Sequence, residues 1–477
     1  MSIRVLALYL VVGGLAAYAW KDWFKSLCGL TLLMAIIRHE DMPTSVFGIQ
    51  GLNLWNLLFV AVFLSWAFTR RREGLVWDMP RCVTVLLLVY LAVIVIGFLR
   101  AALDRSRIED YPLGSLISEE LVNTIKWVLP GVLLFDGCRT RRQVVIALAC
   151  VLVMYLLVSV QVAKFMPAAA AFDGDVLTRY RVSLGRYIGY TACPVSAMLA
   201  GASWGLLATL PLVRGYKRRI LVLVAAGVVT YGQALTGGRA GYLAWGGAGL
   251  LLCLLKWRRY LLLAPVIVTL LPIVLPGPTA RMFSGFGQTD VTGQRTTDDD
   301  AVTSGRTELW PYVIDKIGES PWVGYGRLAM TRSGLVEYLE QIRGAGEAER
   351  QPHNMYLEAM LDNGILGSAP ILLFWVIVTF YLGHLFRSHD PLHSAVGGLA
   401  LSLTVAQLIS GIGSQHFYPD SSTMNMWVAV FLGLRVYVEE QRALRYGALA
   451  EPAWDGLLLG PNLAASAFGR NVPLDRV

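Results

Sequence analysis

Three short stretches hold residues whose types and spacing could do chemistry. In Thr236-Gly237-Gly238-Arg239-Ala240-Gly241-Tyr242, three glycines let backbone N–H groups approach a ligand closely. Arg239 adds a planar fork of donors suited to phosphate. A tight turn with a snorkelling arginine explains these residues equally well. In Ser304-Gly305-Arg306, Ser304 fits a helix N-cap, and Leu309, Val313 and Ile317 follow as an apolar stripe at helical spacing. Arg306 then falls in the first helical turn, where the dipole disfavours a cation unless it meets an anion. A surface ion pair with Glu308 or Asp315 is the simpler alternative. The third stretch, QPHNMYLEAMLDNGILG at 351–367, sets His353 and Asn354 after a proline. Asn354 can cap a helix from Met355 to Asp362 that Gly364 stops. His353 would stand at its N-terminus, where the dipole disfavours imidazolium, and a neutral imidazole is what a general base requires. A histidine that merely caps the helix is the structural alternative.

Two further segments add polar groups. Residues 179–187, RYRVSLGRY, place Arg179, Arg181 and Arg186 just before an apolar run. Residues 414–420, SQHFYPD, offer His416 and the Asp420 carboxylate between two such runs.

The elements that must position these residues are apolar. Of 477 residues, 55% are hydrophobic and 16% charged, against about a quarter charged in soluble chains. Mean hydropathy is +0.54, and the runs at 82–99, 143–163 and 365–386 are long enough to cross a bilayer. The expected fold is all-α and polytopic, with about twelve membrane spans. Candidates lie near 3–20, 26–37, 51–69, 82–101, 121–136, 143–163, 187–212, 219–235, 240–255, 259–275, 365–386, 394–413 and 423–437. Residues 3–19 could also pass as a signal peptide, with Arg4 ahead of the apolar run and Ala17-Tyr18-Ala19 as its cleavage site. A net charge of +8 need not mean nucleic acid, because positive charge collects on the cytoplasmic side of membrane proteins. No basic patch with interleaved aromatics stands outside the inter-span loops, so nucleic acid is set aside. The six cysteines form no CxxC pair or His/Cys cluster, which argues against a disulfide framework or zinc site.

Basic clusters at Arg70-Arg71-Arg72, Arg139/Arg141/Arg142, Arg214/Lys217/Arg218/Arg219 and Lys256/Arg258/Arg259 are separated by even numbers of spans. All four can therefore share the cytoplasmic side. The loops 102–120, 164–186, 236–239, 276–352 and 414–422 then face outward together, with His39 near that face and His384, His389 and His393 on the other. Three outward arginines at 179–186 run against the positive-inside bias, which points to an anionic partner. The organisation expected is N-terminal spans over 1–275, an outer loop over 276–364, C-terminal spans over 365–437 and a mobile cytoplasmic tail over 438–477. Within the outer loop, surface helices are expected around a flexible stretch near Gln288–Asp300. Leu357, Met360 and Leu361 should lay the helix that follows Asn354 in the membrane interface.

The run SGRTELW, PWVGYG and HNMYLEAMLDNGILG, together with the TGGRAGYLAW hairpin, resembles the O-antigen ligase and polymerase superfamily. That resemblance implies a GT-C-like membrane glycosyltransferase of the bacterial inner membrane, acting on the periplasmic side without a cofactor or metal. Its donor would be a glycan on undecaprenyl diphosphate, and its acceptor a sugar hydroxyl on lipid A-core or another glycan. Arg239 and Arg306 would hold the diphosphate and stabilise the leaving charge. His353 would take the acceptor proton, and Asp420 would orient His353 or an acceptor sugar. Arg181, Arg186, Tyr242, Asn354 and His416 complete the expected substrate contacts. Ligase is favoured over polymerase. A transporter of lipid-linked glycans would place charges within the spans, whereas these arginines collect at the outer ends.

Overall fold

Apolar segments in lipid can satisfy their backbone only internally, and this chain is helical almost throughout. The computed structural model describes residues 3–43, 45–46, 49–284, 286, 288–289, 295–296, 306–344, 349–413 and 417–446. Ser304, Gly305, His416 and the acidic run Asp298–Asp300 lie outside them. In chain order the helices used below begin with α1 (Ile3–Ala19), α2 (Trp23–Leu33), α3 (Leu54–Arg72) and α4 (Arg81–Leu103). Next come α5 (Leu129–Gly137), α6 (Arg141–Phe165), α7 (Gly174–Arg181) and α8 (Ala192–Ala208). A central group follows: α9 (Tyr216–Leu235), α10 (Arg239–Leu255), α11 (Ala264–Val274) and α12 (Pro276–Met282). The last four are α13 (Arg306–Glu319), α14 (Met355–Phe386), α15 (Pro391–Ser410) and α16 (Met424–Tyr446). Two antiparallel pairs of two-residue strands occur, one of them Gln288–Thr289 with Arg295–Thr296 inside the stretch expected to be flexible.

Among the described residues, six helices are long and apolar enough to cross a membrane: α4, α6, α8 with its 3-10 extension to Leu212, α9, α14 and α15. The bent pair Arg258–Val274 and Pro276–Met282 would add a seventh, and α1, α2 and α10 are apolar but shorter, so the described helices do not reproduce twelve full-length spans. Two of the expected runs are interrupted. The apolar run at 121–136 is broken into short pieces around a π-turn at Ile117–Val122. The run at 259–275 opens as a 3-10 helix at Arg258–Leu263 and turns by 107° into α12. Leu275 precedes a proline, which disfavours helical backbone there, and Pro276 then opens the next helix. The α16 helix continues through Arg435, Glu439, Glu440 and Arg442 to Tyr446, inside the segment expected as a mobile tail.

Helices α8 and α15 form the centre, each packed against several others. Gly201 and Gly205 allow the close approach, because a Cβ at Gly201 would sit 2.6 Å from the Leu403 Cα. One end of the bundle gathers the basic clusters. Arg70 pairs with Asp136, Arg139 with Asp78, and Arg141 with Asp390, while Lys256 donates to the carbonyls of Phe386 and Ser388. The opposite end holds α7, the α9–α10 turn, α12, α13 and the start of α14. The alternation of basic clusters along the sequence thus corresponds to two distinct ends.

Candidate active site

The turn between α9 and α10 is the first part of the site. Gly237 has φ +65°, a left-handed conformation that suits glycine, and a Cβ there would lie 2.9 Å from the Arg181 Cδ. Arg181 packs on the turn and donates from Nε to the Thr236 carbonyl at 3.2 Å. Tyr242 reaches back across the hairpin, its hydroxyl donating to the Ala234 carbonyl at 2.5 Å. That bond staples α9 to α10, so the structure gives Tyr242 a positioning role. Arg239 is the first residue of α10, and its Nη1 donates to the Ser284 carbonyl at 3.2 Å. Arg281, at the end of α12, shares the Ser284 hydroxyl at 3.4 Å. Its Nε is buried without a partner. Sequence reasoning passed over Arg281. The signal was present, since an arginine three residues past Pro278 closes the first helix of the outer loop.

Arg306 opens α13, whose Leu309 and Val313 are buried in a small core with Met330, Leu335, Leu339 and Leu361. The expected apolar stripe is therefore real, and its partner is the outer loop's own core. The Arg306 guanidinium lies against the turn at Gly413: a Cβ there would sit 3.1 Å from its Nη1 and 3.1 Å from the Ala240 Cβ. Gly413 thus joins the Arg239–Ala240 turn to Arg306. Burial pulls Arg306 below the ordinary guanidinium value, with Arg181 adding to the effect and Cys193 and Glu349 opposing it. Arginine nonetheless stays protonated in proteins. Arg181, Arg281 and Arg306 all act on Arg239, so four cations share one small volume. Arg186 is exposed on the neighbouring short helix, outside this group.

His353 stands where α14 begins. Its φ of +51° is left-handed, unusual for a residue with a side chain. Asn354 is the expected N-cap, accepting from the N–H groups of Tyr356 and Leu357 at 3.0 and 3.2 Å. Met355 donates its N–H to the Gly411 carbonyl at 2.8 Å, which ties this end to the same turn that carries Gly413. Trp310 of α13 donates from Nε1 to the Pro352 carbonyl at 3.0 Å. The His353 ring meets Glu349, with Nε2 and Oε2 3.0 Å apart. Asp420 shows no contact with His353 among the described residues. Its carboxylate accepts from Ser422 N and Oγ and from Thr423 N at 2.7–3.0 Å, closing the turn that leads into α16.

Helix α14 is broken at Gly364, where φ is +60° and ψ −166°. The segment 321–326, PWVGYG, fills the break. Tyr325 and Gly326 donate to the carbonyls of Leu361 and Asp362 at 2.8 and 2.6 Å. Ile365 and Leu366 donate to those of Pro321 and Trp322 at 2.8 and 3.0 Å. Four backbone groups freed by the kink are thereby satisfied, as a break inside an apolar helix requires. Gly324 and Gly326 have positive φ, and a Cβ at Gly324 would meet the Leu361 oxygen at 2.5 Å. The short helix before the break does not lie in the interface as expected. Leu361 faces the loop core, while Glu358, Asp362 and Asn363 are buried. Arg327 holds them: it pairs with Glu120, with Asp362 at 3.0 Å and with Glu358 at 3.7 Å, and stacks 3.5 Å from the Tyr418 ring.

Residues 220–372 match the family model described as O-Antigen ligase. That match supports the resemblance of this region to the O-antigen ligase and polymerase superfamily. The matched region covers Arg239, Arg281, Arg306, Glu349, His353 and the glycine-stabilised helix break. It leaves out Arg181 and Asp420. No curated protein matches the chain.

Proposed function

We propose that this protein is an inverting, metal-independent glycosyltransferase of the bacterial inner membrane. It moves a glycan from undecaprenyl diphosphate to a sugar hydroxyl of lipid A-core on the periplasmic side. The observation that carries the reading is the contiguity of Arg239, Gly413, Arg306, Glu349 and His353, which sets a carboxylate-oriented imidazole beside a cluster of guanidiniums.

In the reaction, the acceptor oxygen attacks the anomeric carbon as the carbon–oxygen bond to the diphosphate breaks. Negative charge grows on the departing diphosphate, and the guanidiniums are the groups built to receive it. Desolvation and mutual repulsion make them respond more strongly to an anion than exposed arginines would. The acceptor proton passes to His353. With the tautomer that donates Nε2–H to Glu349, Nδ1 is left as the base. The positive φ at His353 is a local strain held in place by the cap at Asn354 and the bond from Trp310.

The test is lipopolysaccharide from a deletion strain complemented with wild type or variants. Core without a ladder, alongside full-length lipid-linked polymer, supports the ligase. Core bearing a single repeat unit would make the protein a polymerase. Purified protein should keep turning over in EDTA, and a strict need for a divalent cation would overturn the guanidinium mechanism.

A further inference from the structure

A cavity of about 540 Å³ lies away from the arginine cluster, between the outer ends of α1, α2 and α6. Its size falls within the roughly 300–1,000 Å³ range of ligand sites. The walls are apolar: Leu8 and Val11 come from α1, Leu33 from the end of α2, Ile36 from the turn after it, and Phe165 from α6. Val11 in this lining is 54% exposed, so the cavity opens at the outer surface of the apolar helix α1. The rim is basic. Arg4 sits in the first turn of α1 and Lys164 in the last turn of α6, and both line the cavity. Asp41 lies at the same rim, its carboxylate 3.5 Å from Arg4 and its N–H donated to the His39 Nδ1 at 3.1 Å. Lys164 stands over the Phe165 ring at 5.1 Å, an arrangement that leaves its charge uncancelled. Apolar depth below a cationic rim, open to the leaflet, matches an amphipathic anion by charge and by polarity.

We infer that this cavity binds one anionic phospholipid from the outer leaflet, with the phosphodiester between Arg4 and Lys164 and an acyl chain between α1 and α6. A separate lipid is favoured over the tail of a diphosphate substrate. Arg4 and Lys164, against the one carboxylate of Asp41, leave a net single positive charge at the rim that suits a singly charged phosphodiester, and none of Arg181, Arg239, Arg281 and Arg306 lines the cavity. The bound chain would fill the gap beside α1, which otherwise leans on α2 and α3.

The experiment is native mass spectrometry of the delipidated full chain titrated with phosphatidylglycerol or phosphatidylcholine. One phosphatidylglycerol per chain should be retained at least about fivefold more tightly, as expected for a basic residue near a lipid headgroup. Lys164→Glu, at an exposed position that does not disturb packing, should abolish the preference. Val11→Trp should weaken both lipids by filling the cavity. Equal retention of the two lipids, or unchanged binding in Lys164→Glu, would overturn the site. Equal competition by glycerol phosphate would overturn the role of the acyl chain. Displacement of phosphatidylglycerol by farnesyl diphosphate in an Arg239→Lys background would overturn the choice of occupant.

Discussion

At His353, the Glu349 contact engages Nε2 and leaves Nδ1 as the nitrogen that could take a proton. Because general-base assistance is worth roughly 10²–10⁴ in rate, His353→Gln should lose most turnover while keeping a polar side chain at the helix start. Initial rates with a purified lipid-linked donor decide this, and a glutamine variant with wild-type turnover would reduce His353 to a structural cap. Glu349→Gln should cost less, about tenfold to a hundredfold in kcat with KM for the donor little changed, since it acts through His353. The arginines are held to a stricter geometry than charge alone. Arg239→Lys, Arg306→Lys and Arg281→Lys each retain the charge but lose the fork that grips a diphosphate, so each should lower transfer at normal membrane levels. Pyrophosphate should raise the melting temperature of the wild type, by mass action on the folded state, and raise it less in these variants. No shift in any of them would exclude the diphosphate clamp.

Among the elements, the broken helix α14 is the one on which the site depends. Its kink is possible because PWVGYG supplies replacement donors and acceptors, and that exchange sets the start of α14 beside α13. A Cβ at Gly364 would strike the Trp322–Val323 backbone, and the φ of +60° adds strain of about 1–3 kcal/mol for any other residue. Gly364→Ala should therefore lower the unfolding temperature in detergent and the turnover together. Gly318 is the control: it lies exposed in α13 with nothing within 4 Å of its Cβ direction. Gly318→Ala should be neutral or stabilising by up to about 1 kcal/mol. If both alanine variants behaved alike, steric closure at the break would not be the cause. The Arg327 network serves the same element. Truncating Arg327 would leave Asp362, Glu358 and Glu120 buried without their cation, a loss of about 3–5 kcal/mol for a buried pair of this kind.

Seen as a whole, the molecule has one end braced by ion pairs and another where arginines crowd together. At the braced end Asp78 accepts from Arg435 at 2.6 and 2.9 Å, from Arg139 at 3.0 Å and from Arg442 at 2.6 Å. Burial pushes its carboxyl up, but Arg435 first, then Arg139 and Arg442, bring it net below the usual value. A carboxyl depressed in the folded state contributes stability that is present above its unfolded value of about 3.9 and is lost as pH falls further. Melting temperature should thus hold above about pH 5 and drop below about pH 4. Asp78→Asn should lower the plateau and flatten the acid limb, and an unchanged limb would remove Asp78 from the account. The two-ended charge pattern also predicts an orientation in which the basic end faces the cytoplasm. In a cysteine-free background, Val182→Cys, 80% exposed beside α7, should react with an impermeant thiol reagent added to spheroplasts, while Glu73→Cys should not. Labelling of both or neither would break the proposed topology.

Local rules made part of this protein legible from its residues. Asn354 caps, Gly364 stops a helix, Gly237 turns, and the α13 stripe is buried, because capping, left-handed backbone and helical periodicity act over a few neighbouring residues. The alternation of basic clusters carried the two-ended arrangement for a similar reason, since charge placement at span ends is a local choice. The number of spans was not legible. Hydropathy counts apolar runs, whereas helical continuity failed at the π-turn around Ile117–Val122 and at the Leu275–Pro276 bend. Partners distant in sequence were not legible either. Asp420 turned to its own loop, and Arg281 entered the cluster only because α12 folds back against α7 and α10. Arg327 found Glu120, 207 residues away, and with it buried a helix whose apolar face had suggested the membrane interface. Such pairings depend on which helices become neighbours, and that is decided by the packing of the whole bundle around α8 and α15.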